Sequence, residues 1–237
     1  MKKVKSKVRS SLRRITFSHT DRQQAFHMSW GHIFNNRLRG DYWEFGVYRG
    51  DSMILSAREL RKFQAWNVSQ IQSSEEWRVN LARQYSDYAP KSVGFDTFEG
   101  MPDNNEGNSN FQKLSFVSNL ENVKERLIKN IKESKLILIK GDFSILNGDE
   151  ISKSSKLIAI VNIDCELYES AIVALRLCRP FLQIGSVLLF DEYHGFNADS
   201  TKGERKALAE FLAETSIKVD RWFDYHYGGR SFLVTGI

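Results

Sequence analysis

The chain has 237 residues, of which 41% are hydrophobic and 27% charged, with 15 Gly and only 3 Pro. That balance supports a packed core and excludes a wholly disordered, collagen-like or low-complexity chain. The formal net charge of +5 suggests nucleic acid at first sight, but seven of the 34 Lys and Arg crowd into residues 1–14 without an acid, leaving 27 basic against 29 acidic side chains in the other 223 residues.

The body therefore has no positive field to steer it toward phosphate, and no nucleic-acid partner is expected. Within the basic segment, Val4, Val8, Leu12 and Ile15 stand at helical spacing, and the first acid is Asp21. We read it as the start of a basic helical extension over residues 1–39, although a transit peptide or an interfacial helix has the same pattern. Such a tail suits an acidic partner, a membrane surface or another subunit of a homo-oligomer. No run approaches the ~20 apolar residues of a membrane span. Two cysteines, Cys165 and Cys178, make no disulfide framework and have no zinc spacing. A reducing, cytoplasmic location is expected.

Taken in order, the first helix-like stretch holds Phe26, His27, Trp30, His32 and Phe34 and reads as a packed helix. Residues 42–47 form a short apolar run ending near glycine, as a buried strand does, and 52–63 have helical spacing at Met53, Leu60 and Phe63. A polar stretch with a helix at 73–85 follows, then a strand at 92–95 and a loop rich in Gly, Asn and Asp. Ser118-x-x-Glu121 reads as a capping box ahead of Val123, Leu127, Ile128 and Ile131. Strands are expected at 135–140, 157–163 and 185–190, with a helix at 167–179 stopped by Pro180. Thr201-x-x-Glu204 reads as the cap of a helix carrying Ala207, Leu208, Phe211 and Leu212. Two last strands, about 217–223 and 230–235, flank Gly228-Gly229 as a hairpin. This alternation gives one α/β domain with a mostly parallel sheet covered by helices on both faces.

Ligands of open α/β sheets bind beyond the carboxyl ends of the strands. The first strand runs into Glu44-Phe-Gly46-Val-Tyr-Arg-Gly50-Asp-Ser52, an acid and a glycine turn leading into a helix. Its Gly-x-x-x-Gly spacing is neither a dinucleotide fingerprint nor a Walker loop. The second strand ends in Asp96, an acceptor suited to ribose hydroxyls, or a solvated turn residue. The third is followed by Gly141-Asp142-Phe143, an acceptor and an aromatic suited to an adenine edge and face. The fourth and fifth end in Asp164-Cys165-Glu166 and Asp191-Glu192. Clustered carboxylates repel, and hard oxygen ligands suit Mg²⁺, Mn²⁺ or Ca²⁺; the alternative is a set of solvated acids.

With these strand ends in place, the sequence resembles the macrocin O-methyltransferase (TylF/MycF) family of class I S-adenosylmethionine (SAM)-dependent methyltransferases, which act on sugar hydroxyls of natural products. The matching stretches are GDYWEFGVYRGDS (40–52), GFDTFEGMP (94–102), KGDF (140–143), NIDCELYES (162–170) and GSVLLFDEYHG (185–195). Residues 64–90 have no counterpart and read as an insertion.

The resemblance implies a Rossmann-like class I methyltransferase fold with a seven-stranded, mostly parallel sheet and a C-terminal antiparallel hairpin. It places Glu44, Gly46, Gly50 and Ser52 at the methionine end of SAM, Asp96 on the ribose, and Asp142 with Phe143 near adenine. Asp164, Asp191 and Glu192 take the family's Mg²⁺-ligand positions, and Glu166 that of its general base, with His194 as a second candidate. Two positions depart from the family: Asp-x-Asp is Asp164-Cys-Glu166 here, and Asp-Asp is Asp191-Glu192. The implied activity is metal-assisted methyl transfer to a hydroxyl of a small, sugar-like acceptor. The rival expectations are a non-catalytic SAM-binding protein and a metal-dependent glycosyltransferase using Asp-x-Glu.

Overall fold

The computed structural model describes residues 21–107, 112–146, 151 and 155–237. The expected basic helix over Val4 to Ile15 lies outside them. Among the described residues, seven strands make one sheet in the order β3-β2-β1-β4-β5-β7-β6. In chain order these are β1 (Asp41–Phe45), β2 (Ser92–Asp96), β3 (Leu136–Lys140), β4 (Ile158–Ile163), β5 (Val187–Phe190), β6 (Lys218–Tyr225) and β7 (Gly229–Gly236). The first five pair in parallel, while β7 runs antiparallel between β5 and β6. Among the described residues no helix is long and apolar enough to cross a membrane.

Among the described residues, helices α1 (Arg22–Asn35), α2 (Asp51–Gln70), α3 (Glu76–Gln84), α4 (Leu120–Ile128), α5 (Tyr168–Cys178) and α6 (Gly203–Glu214) accompany the sheet. Strand alternation explains their distribution. Trp43, Phe45, Phe95, Val161, Ile163, Leu188 and Phe190 face α5 and α6, in a core where the Phe45 and Phe95 rings stack at 4.4 Å. Tyr42, Ile160, Val187 and Leu189 face the opposite core, which Phe26, Trp30 and Phe34 of α1 and Met53 of α2 fill. Both faces are apolar because both are covered, which is why the central strands read as unbroken hydrophobic runs. Trp30 Nε1 donates to Ser56 Oγ at 3.0 Å, locking α1 to α2.

Three local expectations change. The helix expected at 52–63 continues to Gln70, so the 64–90 segment supplies its last turns and then α3. Asn119, rather than Ser118, caps α4: its Oδ1 accepts from Asn122 N–H at 3.0 Å. Asn is as good a cap as Ser, and a one-residue shift brings its oxygen into reach of the first turn. The Thr201–Glu204 box does not form either. Thr201 bonds Asp199 instead, at 2.9 Å through its N–H and 2.7 Å through Oγ1, and Glu204 turns into the core.

Candidate functional site at the carboxyl ends of the central strands

The chain steps from β1 to β2 and β3 on one side of the sheet, and from β4 to β5 on the other. The crevice between β1 and β4 is thus the topological switch point, where open α/β sheets place ligands. The register levels the strand ends there: Phe45 pairs with Phe95 and Ile163, and Ile163 with Phe190. Gly46, Asp96, Asp164 and Asp191, one residue on from these or at a strand's last position, therefore emerge together.

Gly46 adopts φ +90°, and a β-carbon there would lie 1.8 Å from the Asp164 carbonyl oxygen. Only glycine permits this approach of the β1 and β4 backbones. Gly50 (φ +76°) precedes α2, and no side chain caps that helix, so its first N–H groups point toward the crevice end as anion-favouring donors. Glu44 is fully buried beside this turn; Ser52 Oγ donates to its Oε1 at 2.6 Å and Tyr42 OH to its Oε2. Burial pushes the Glu44 carboxyl up to about 8, against the pull of those two hydrogen bonds.

Asp96 ties two loops together. Its Oδ2 accepts from Tyr48 N–H at 2.7 Å and its Oδ1 from Phe98 N–H at 2.6 Å. Each carboxylate oxygen retains a second lone pair for a ligand hydroxyl. Asp142 is exposed beyond β3, and the Phe143 ring meets Phe45 edge-on at 5.3 Å. The loop after β2 is pinned by a residue the sequence reading passed over. Glu106 accepts from Tyr168 N–H and from Gly203 N–H, both at 2.8 Å, capping α5 and α6 with one carboxylate.

The acids after β4 and β5 do converge. Glu166, held at φ +57°, has its pKa pushed well up by burial and then by Asp164, Glu192 and Asp96. Burial raises Asp164 and Glu192 too. Beneath them Glu204 is fully buried, accepting from Glu192 N–H at 3.0 Å through Oε2, with no partner for Oε1. Burial, and then the neighbouring Glu166 and Asp164, push its pKa well above the usual carboxylate range.

Sequence reasoning also missed two cationic or polar partners of this cluster. The Arg22 guanidinium at the start of α1 pairs with Asp191 Oδ2 through Nη2, and its Nη1 lies 3.5 Å from Asp164 Oδ2. His226 Nε2 stands 2.9 Å from Asp191 Oδ1, while Gly228 N–H donates to Nδ1 at 3.0 Å. That backbone donor fixes the tautomer: the proton sits on Nε2 and is given to Asp191. His194, the expected second base, follows the β5 acids, and its backbone N–H donates to the Gly228 carbonyl at 2.8 Å. Burial lowers its pKa, followed by Arg230, and the charged groups around it are Arg230, Asp224, Arg205 and Arg221.

This arrangement does not fit a divalent cation. Both Asp191 oxygens are occupied by N–H donors and its side chain is only 3% exposed. Among the described residues no three His, Cys, Asp or Glu side chains are grouped to hold a metal. The glycine cradle, the open N-terminus of α2 and Asp96 do fit a cofactor that joins a nucleoside to an amino acid.

No family model matches the sequence, and no curated protein is similar to it in sequence. Solved structures resemble it in shape. The O-methyltransferase NovP shares 19% identity at a TM-score of 0.66, over 90% of this chain and 79% of NovP. The calicheamicin methyltransferase CalS11 shares 19% at 0.62, over 89% of this chain and 77% of CalS11. An O-methyltransferase from Bacillus cereus, solved in complex with S-adenosylhomocysteine (SAH), shares 12% at 0.52, over 99% of this chain and 91% of that one. With its seven-stranded sheet, single antiparallel hairpin and switch-point crevice, the chain has the class I methyltransferase fold.

Proposed function

We propose that this protein transfers a methyl group from SAM to a hydroxyl of a small, polyhydroxylated acceptor, in the manner of the macrocin O-methyltransferases its motifs resemble. The observation that carries the reading is the Gly46 turn packed onto the Asp164 carbonyl at the switch point, with Asp96 at the neighbouring strand end. Bound SAM supplies an activated methyl on a sulfonium centre. Glu44, Gly46, Gly50 and Ser52 receive its methionine end, Asp96 its ribose, and Asp142 with Phe143 its adenine.

Glu166 accepts the proton of the attacking hydroxyl. A carboxyl raised by burial is a stronger base once ionised, and the site keeps it beside the crevice in a left-handed backbone conformation that only surrounding contacts sustain. His194 is the second candidate. CalS11 is described as a TDP-rhamnose 3'-O-methyltransferase, which supports a sugar-like acceptor for this chain. The metal expected from the strand-end acids forms no part of the reaction, because Arg22 and His226 hold Asp191.

Incubating the full chain with methyl-labelled SAM and a panel of nucleotide sugars and glycosides tests the reading. Label should pass to a hydroxyl of one acceptor class, and Glu166→Gln should slow that step by about 10²–10⁴-fold while SAM still binds. SAM binding without transfer to any acceptor would make the protein a binder of the cofactor only. Binding of nucleotide sugars without SAM would point to glycosyl transfer.

A further inference from the structure

We infer that Arg22 stands in for a divalent cation at this site, so that a guanidinium built into α1, and no metal, neutralises the strand-end acids. The inference rests on the methyltransferase reading for its meaning in turnover, but its geometry is independent of that reading. By strand alternation Tyr42, Glu44, Ile160, Asp164, Leu189 and Asp191 project to the one face of the sheet that α1 covers. Arg22, in the first turn of α1, lies against the end of that face and reaches two carboxylates from different strands.

Its position is imposed by packing. Asp21 Oδ1 caps α1 by accepting from Gln24 N–H at 2.7 Å. The residue after Arg22, Gln23, donates through Nε2 to the buried Glu59 at 2.8 Å. Phe26, Trp30, Ile33 and Phe34 are buried below, and His32 Nε2 lies 3.0 Å from the Gly185 carbonyl oxygen. A guanidinium delivered by an anchored helix is a fixed charge. Its planar fork suits a bridge between two carboxylates, and it cannot deprotonate at physiological pH.

The charge balance points the same way. Asp164 and Asp191 meet at Arg22, and Asp164 and Glu192 stand near enough to Glu166 to raise its pKa, so uncompensated charge there is costly. Arg22 supplies one full positive charge and His226 an N–H. The two Asp-to-Glu departures from the family's metal-site pattern fall beside these residues, at Glu166 and Glu192. Strict octahedral Mg²⁺ tolerates misplaced ligands poorly, whereas an arginine fork asks only for two acceptor oxygens.

The test is a Mn²⁺ titration of the full-length chain, followed by the electron paramagnetic resonance of the free ion, with SAM calorimetry on the same preparations. Wild type should leave the free Mn²⁺ signal undiminished into the millimolar range. Arg22→Ala, and Arg22→Gln should the alanine variant fail to fold by circular dichroism, should take up Mn²⁺; adding Asp191→Asn should abolish that uptake. One-to-one uptake by wild type that Asp191→Asn removes would overturn the inference, as would folded Arg22 variants that take up none. Failure of SAM to bind would sink the methyltransferase reading alone, because the Mn²⁺ readout does not depend on it.

Discussion

Gly46 and Asp164 touch backbone to backbone: a β-carbon on the glycine would fall 1.8 Å from the aspartate's carbonyl oxygen. The contact brings the ends of β1 and β4 together and sets the floor of the crevice. Gly46→Ala combines a positive φ with this clash and is expected to cost more than about 2 kcal/mol in denaturant unfolding, with loss of SAM binding. Gly107 is the control. It has φ +80° with open space around it, so Gly107→Ala should cost only about 1 kcal/mol.

Glu44 makes stability fall with rising pH. Its carboxyl is raised by burial to about 8 from an ordinary value of 4.5, so between these values the native state holds a proton that the unfolded chain has released. The contribution is complete below about 4.5 and is lost as pH rises through about 8, at up to ~1.4 kcal/mol per pH unit. Denaturant midpoints measured across that window should show this slope, and Glu44→Gln should flatten it. A Glu44→Gln protein with the wild-type slope would place the titration elsewhere.

Asp96 serves two backbone donors at once, Tyr48 N–H and Phe98 N–H. Asn has one acceptor oxygen and turns its NH₂ toward the other donor. Asp96→Asn is therefore expected to cost about 1–3 kcal/mol at the loop and to weaken SAM binding about ten-fold or more by calorimetry. Unchanged affinity would remove Asp96 from the cofactor site.

Glu106 predicts a loop effect separate from the chemistry. Loss of one carboxylate uncaps both α5 and α6, so Glu106→Ala should lower stability by about 1–2 kcal/mol and open the 97–107 loop to proteolysis. Glu106→Gln, which keeps one acceptor, should lie between the two. Equal protease resistance in all three proteins would contradict the pinning role.

The strands were legible because both faces of a parallel sheet are buried, so β4 and β5 appear as apolar runs whatever the order of the sheet. Their terminal acids were legible for the same reason, since a charge that follows such a run marks where the strand leaves the core. The neighbours of those acids were not. Arg22 reaches Asp164 and Asp191 only once α1 is docked on the sheet, and a lone arginine after a basic tail has no local pattern. The face alternation of Glu44, Asp164 and Asp191 was present in the sequence; which helix covers that face was not. His226 and Glu204 were hidden in the same way, by a hairpin turn and by a residue that also suited a capping box. At α4 the competition was local: Ser118 and Asn119 are both good caps, and tertiary docking chose the second.

Titration calorimetry of the full-length chain with SAM, repeated in the presence of SAH, addresses the assignment most directly. One-to-one binding that SAH displaces and Asp96→Asn weakens is the expected result. The absence of binding by either compound, with the chain folded, would contradict it.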